Sequence, residues 1–157
     1  MEILRDLWYS DSSVFRAFLT LKKLEKERVV KEMKIVATEK APKALGPYSQ
    51  GYVHGGMFYS AGQIPINPAT DTVEAETIEE QTEQVCKNLA AVLEAAGTDF
   101  DHVVKTTCFL ADMGDFAAFN EVYAKYFTSR PARSCVAVKT LPKNVRCEVE
   151  LIAAVEE

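Results

Sequence analysis

The 157-residue chain carries 18 Lys and Arg against 23 Asp and Glu, a formal net charge of −5, and 48% of it is apolar. That length and balance allow one well-buried core and leave little room for a second domain. The acidic charge, with no Lys/Arg cluster interleaved with aromatics, argues against nucleic acid as a partner; no apolar run approaches a bilayer span and no secretory signal is legible, so the expected location is the cytosol, away from membranes.

Residues 1–32 differ from the remainder. Ser12-Ser13 reads as a helix cap, and Phe18, Leu21 and Leu24 recur at helical spacing between charges. The segment holds too many acids for a transit peptide and is expected to be an N-terminal extension: a helical arm, the product of an upstream start, or a leader. From Met33 to residue 157 the pattern is self-sufficient and predicts a single domain.

That domain opens with a short strand, Lys34–Thr38, and a loop punctuated by Pro42, Gly46 and Pro47. Tyr48–Val53 and Met57–Gln63 follow as strands, with His54-Gly55-Gly56 between them supplying the glycines a tight hairpin needs. Thr77-Ile-Glu-Glu80 has the form of a capping box, and Ile78, Val85, Leu89 and Val92 then mark one helix face up to a Gly97 cap. Val103–Ala111 reads as a strand. Asp115 is expected to cap a second helix striped by Phe116, Phe119, Val122, Tyr123 and Tyr126, a stripe that suits a core. Ser134–Leu141 and Val145–Val155 complete the set as a strand pair joined by Pro142-Lys143-Asn144.

This order predicts an α+β fold, one sheet with two helices packed on the same face. In the last strand Cys147, Val149 and Leu151 alternate with Arg146, Glu148 and Glu150, so one face is apolar and the other carries carboxylates. The same period-two count assigns Arg133 and Cys135 to the uncovered face beside Glu148. That face also holds Ala137, Ile152 and Ala154, which is too apolar for free solvent and suggests contact with other subunits.

Four cysteines, Cys86, Cys108, Cys135 and Cys147, stand far apart with only His54 and His102 for company, which makes no zinc site. They read as small buried hydrophobes, and His54 reads as a turn residue. No glycine spacing fits a nucleotide or dinucleotide loop, and no histidine stands where a Ser or Cys nucleophile would need it. What remains is Arg133 after Pro131, a planar donor fork at the start of an apolar strand, with Glu148 and with Tyr48 on a Gly-Pro-Tyr-Ser loop. Those types suit recognition of a small carboxylate beside a group that transfers a proton or orients water. A surface arginine and an interface salt bridge are the competing readings.

Gly46-Pro-Tyr-Ser-Gln50, Ala61-Gly-Gln-Ile-Pro65, Val104-Lys-Thr-Thr107, Pro131-Ala-Arg-Ser-Cys-Val136 and Glu148-Val-Glu150, in that order, closely resemble the Rid family of enamine/imine deaminases, also called YjgF-like proteins. The resemblance runs from Met33 to the end. It implies a chorismate-mutase-like fold, a homotrimer with a ligand pocket in each cleft between subunits, and hydrolysis of 2-aminoacrylate, 2-iminobutyrate and related imines to 2-keto acids and ammonia. Carried over, Arg133 holds the substrate carboxylate, Glu148 positions the attacking water, Tyr48 and Asn120 line the pocket, and Ala61, Gly62 and Cys135 complete it. No metal or organic cofactor is implied. Two features depart from the family pattern: Ala61 stands where a serine is usual, and if that hydroxyl normally contacts substrate its loss shifts affinity or preference by a hydrogen bond's worth, about 0.5–1.5 kcal/mol; and residues 1–32 precede anything the family core requires. A trimeric small-carboxylate binder or sensor without turnover is the alternative. The ribonuclease or translation-inhibitor activity attributed to some relatives is a third reading, disfavoured by the acidic charge.

Overall fold

The computed structural model describes residues 16–23 and 33–155, and the chain divides into two units, Met1–Glu32 and Met33–Glu157. In the first unit residues 16–23 are helical and exposed; the Ser12-Ser13 cap and Leu24 lie outside the described residues. In the second unit the strands are β1 (Lys34–Val36), β2 (Gly51–His54), β3 (Met57–Ser60), β4 (Ile66–Asn67), β5 (Thr72–Val73), β6 (Val103–Leu110), β7 (Ala132–Ala137) and β8 (Cys147–Ala154), with helices α1 (Ile78–Ala96) and α2 (Phe116–Tyr126).

Local chemistry accounts for the boundaries. Gly55 and Gly56 sit at φ of 60° and 74°, the left-handed pair that a two-residue hairpin demands. His54 is therefore the last residue of β2, paired with Met57, rather than part of the turn. At α1 the Thr77 hydroxyl accepts from the Glu80 N–H at 3.2 Å while the Glu80 carboxylate accepts from the Thr77 N–H at 3.1 Å, so the expected capping box is complete, and Gly97 closes the helix at φ 80°. Asp115 does not cap α2. Its backbone is already helical, and its carboxylate instead receives a two-pronged bond from Arg146, Nε at 3.0 Å and Nη2 at 2.7 Å. Asp112 starts the turn leading into α2, accepting from the Gly114 N–H at 2.7 Å.

The strand order is β1-β2-β3-β8-β6-β7, antiparallel except for the parallel pair β6 and β7; β4 and β5 form a separate small hairpin. The expected pairing of the last two strands is wrong, because β6 lies between β7 and β8. The reason is the β6-α2-β7 connection: a helix-length crossover returns the chain parallel to its start, which puts β7 beside β6 at the sheet edge.

Both helices cover one face, as expected for α+β. Val85, Leu89, Val92 and Leu93 of α1 and Phe119 of α2 join Phe58, Cys108, Val149 and Leu151 of the sheet in one buried cluster. Truncating Leu89 to alanine there costs about 2–5 kcal/mol. Cys86, Cys108 and Cys147 are buried in this cluster as reduced thiols, as the sequence suggested.

Candidate active site

Register decides where the candidate residues point. In β8, Cys147, Val149, Leu151 and Ala153 are buried beneath the helices, so Glu148 and Glu150 stand on the opposite, open face, half-buried. Across the ladder Glu148 pairs with Phe109, while Cys108 pairs with Val149. On its other side β6 pairs Thr106 with Arg133 and Cys108 with Cys135. Thr106 and Cys108 are fully buried on the helix side, so Arg133 and Cys135 belong to that side too. The expectation that Arg133 and Cys135 share the uncovered face with Glu148, and Ala137 with them, is therefore overturned; Ile152 and Ala154 do lie on the open face, and Val136 joins them.

The site falls into two parts. At the edge strand β7 the Arg133 guanidinium donates from Nη1 to Asn120 Oδ1 at 2.7 Å and lies 4.8 Å from the ring centroid of Tyr123 and 5.5 Å from that of Phe116, within cation–π range. No carboxylate pairs with it among the described residues. One donor of the fork is thus committed and the others remain for a ligand. Cys135, two residues on, is half-buried, and its thiol is pushed up chiefly by burial. From the sequence, Asn120 is reached only through the resemblance, and Phe116 and Tyr123 read as plain core. The signal was present: both aromatics flank Asn120 on the stripe of α2, at i−4 and i+3.

The second part is on the open face. A side-chain carbon added to Gly62 would collide with the Glu148 carboxylate, so the absence of one is what lets that carboxylate lie against the backbone. The turn is fixed by a Gln63–Val149 bridge, N–H to O at 2.8 Å and 3.1 Å, and by buried Asn88, which donates to the carbonyls of Ile64 at 3.0 Å and Ile66 at 2.9 Å. Glu148 has no hydrogen-bond or ion-pair partner among the described residues. Burial, with a smaller contribution from Glu150, raises its pKa above the ordinary 4.5. Ala61, half-buried, precedes Gly62 and donates its N–H to Gln50 O at 2.9 Å; the neighbouring Ser60 hydroxyl accepts from the Leu151 N–H at 2.9 Å.

Tyr48 lies on the loop between β1 and β2. It is exposed, its hydroxyl accepts from the Leu45 N–H at 3.2 Å, and it lines a groove of about 420 Å³ with Ile35, Thr38, Lys43 and Gln50. Gln50 is the buried post of that loop: Oε1 accepts from the Thr38 N–H at 2.6 Å and Nε2 donates to Pro42 O at 2.8 Å. Among the described residues no cluster of His, Cys, Asp and Glu forms a metal site, and no helix is long and apolar enough to cross a membrane.

The mixed sheet, with two helices on one face, thus carries an edge-strand arginine that meets no carboxylate among the described residues and a glutamate that lies on a glycine. A family model described as Endoribonuclease L-PSP matches residues 38–155, and the chain belongs to that family, the Rid or YjgF group. It is 53% identical over 125 residues to a Lactococcus lactis protein named as a candidate regulator, AldR, covering 79% of this chain and 99% of that one. It is 48% identical over 120 residues to Reactive Intermediate Deaminase A of Arabidopsis thaliana, covering 76% of this chain and 64% of that protein. Among solved structures, E. coli TdcF with bound serine superposes with a TM-score of 0.75 at 41% identity, covering 78% of this chain and 99% of that one.

Proposed function

We propose that the protein hydrolyses reactive 2-enamine and 2-imine acids, such as 2-aminoacrylate and 2-iminobutyrate, to 2-keto acids and ammonia, working as a homotrimer with its sites between subunits. The observation that carries this reading is the Arg133 guanidinium, half-buried, steadied by Asn120 and two rings, and unmatched by any carboxylate among the described residues. Leaving a charge so placed without a counter-ion suits a protein whose ligand brings one. The name of the Arabidopsis relative points the same way.

The chemistry asks little of the protein. The enamine tautomerises to the imine, whose C=N carbon is already electrophilic once the nitrogen is protonated, so the task is to hold substrate and water in line. Arg133 takes the substrate carboxylate in its free donors. Water adds to the C=N carbon and gives up a proton as the carbinolamine forms; Glu148, with its pKa raised by burial, is suited to accept it. The carbinolamine nitrogen then takes up a proton, the C–N bond breaks to release ammonia, and the hydroxyl gives up its proton to leave the carbonyl of the keto acid.

Arg133 and Glu148 face opposite sides of one sheet, so a single chain does not offer both to one small molecule. Joining the edge strand of one copy to the open face of another removes that difficulty, and the open face with Val136, Ile152 and Ala154 is apolar enough to be covered. Tyr48, Ala61 and Gly62 then belong with Glu148, and Asn120 and Cys135 with Arg133.

A second reading, a trimeric carboxylate binder without turnover, is favoured by the serine bound to TdcF. An endoribonuclease reading, prompted by the family description, meets a net charge of −5. Coupling a serine or threonine dehydratase to this protein and following imine disappearance, with Arg133→Ala alongside, separates the first two. Faster keto-acid release by the wild type alone supports the deaminase; keto-acid binding without acceleration supports the binder.

A further inference from the structure

The groups that steady Arg133 are themselves held, and the contacts return to the strand beside it. Arg133 and Thr106 are Cα partners in the parallel ladder of β7 and β6. Thr106 is completely buried, and its Oγ1 meets the Tyr123 hydroxyl at 2.8 Å. The Tyr123 ring stacks on Phe127 with centroids 4.1 Å apart and planes 14° from parallel, and it stands 4.8 Å from the guanidinium carbon. The phenol is thus fixed by a hydrogen bond at its tip and by a stacked ring, next to the guanidinium. Burial pushes its pKa up to about 12, so it stays neutral at any working pH.

A phenylalanine would fill the same volume without burying a hydroxyl, and a buried hydroxyl is tolerated only where it is bonded. Here the bond goes to the very residue that lies across the ladder from Arg133. The ring can therefore neither slide along Phe127 nor rock against the guanidinium without breaking it.

We infer that Tyr123, locked by Thr106, is a positioning residue for Arg133: it sets the tilt and depth of the guanidinium plane so that the donors not taken by Asn120 face an incoming carboxylate. This rests on the clamp reading of Arg133 given above. Tyr123 and Thr106 act through Arg133, and neither needs to touch the substrate. Because a carboxylate held equally in ground and transition states affects binding more than turnover, loss of the lock weakens KM and leaves kcat.

The test uses the full chain with Tyr123→Phe, Thr106→Val and Thr106→Ser. Three quantities are measured: the Arg133 Nε–H resonance of the free protein by NMR, Kd for 2-oxobutanoate by calorimetry, and kcat and KM for 2-iminobutyrate. Tyr123→Phe and Thr106→Val, two separate routes to the same missing bond, are each expected to shift or broaden the Arg133 signal and to raise Kd and KM about five- to tenfold with kcat changed less than about twofold. Thr106→Ser, which retains the hydroxyl, recovers most of the loss. An unchanged Arg133 signal and unchanged Kd in both hydroxyl-less variants, whatever happens to melting temperature, overturns the assignment. A wild type that neither turns over imines nor binds 2-oxobutanoate defeats the functional reading instead, and the Arg133 signal still decides whether Tyr123 positions the guanidinium.

Discussion

The arginine side and the glutamate side of this molecule are built by different means. Arg133 is secured by named contacts from within its own chain: a hydrogen bond to Asn120, two ring faces, and behind them the buried Thr106. Glu148 has only a glycine to lie on and no polar partner among the described residues. The first is held in place on several sides, and the second is left without a polar contact. On the proposed function, the clamp for the carboxylate is complete within one chain, whereas the surroundings of Glu148 await the copy proposed to cover the open face.

The sharpest way to break that contrast is Arg133→Ala. Losing the charged partner of a bound carboxylate typically costs about 2–5 kcal/mol, roughly 30- to several-thousand-fold in kcat/KM, while the fold and the proposed trimer should persist because Arg133 makes no ion pair among the described residues. Retained activity in the dehydratase-coupled assay would refute the clamp. Gly62→Ala acts on the other side: the new methyl displaces the Glu148 carboxylate, and a displacement of about 1 Å is expected to lower turnover on the order of 100-fold with little change in keto-acid affinity. Equal losses of affinity and turnover would show that the two sides are not separable.

Glu148→Gln reads the same side through pH. Because burial raises the folded-state pKa above 4.5, the folded chain holds this proton more tightly than the unfolded one. The penalty of the ionised form is fully present above the raised value and is relieved as pH falls through it. The glutamine variant should therefore melt at or slightly above wild type at neutral pH, with the advantage gone by about pH 4. Activity should show the matching limb: wild-type kcat/KM falls as pH drops through the raised value, and the variant loses that dependence along with most of its rate. Smallest of all, Thr77→Ala breaks the capping box of α1 and should cost about 1 kcal/mol by denaturant melts without touching either side of the site. Removal of residues 1–32 is expected to leave both activity and assembly as they are, checked by the coupled assay and by sedimentation.

Elements governed by neighbouring residues were readable from the sequence. The Thr77 and Glu80 box, the Gly55-Gly56 hairpin and the alternation of β8 each depend on contacts within a few positions, and each is found. What failed depends on long-range pairing. Counting by twos gives the two faces of a strand but not which face is which. Treating β7 and β8 as neighbours puts Arg133 beside Glu148, whereas the parallel ladder with β6 aligns it with buried Thr106. β6 adds a further trap, since a register shift between Val103 and Lys105 breaks its own alternation. Asp115 had the composition of a cap but was drawn to Arg146, 31 residues away.

The thiols have a consequence for how the protein weathers its surroundings. Burial pushes Cys108 and Cys147 to about 12 and Cys86 higher still, so thiolate is scarce in the core at neutral pH. A chain proposed to meet imines, electrophilic at the C=N carbon, has in effect withdrawn its softest nucleophiles from reach. Cys135 alone of the four is half-exposed, so a maleimide added to the native protein is expected to mark that position first and leave the other three for the unfolded chain.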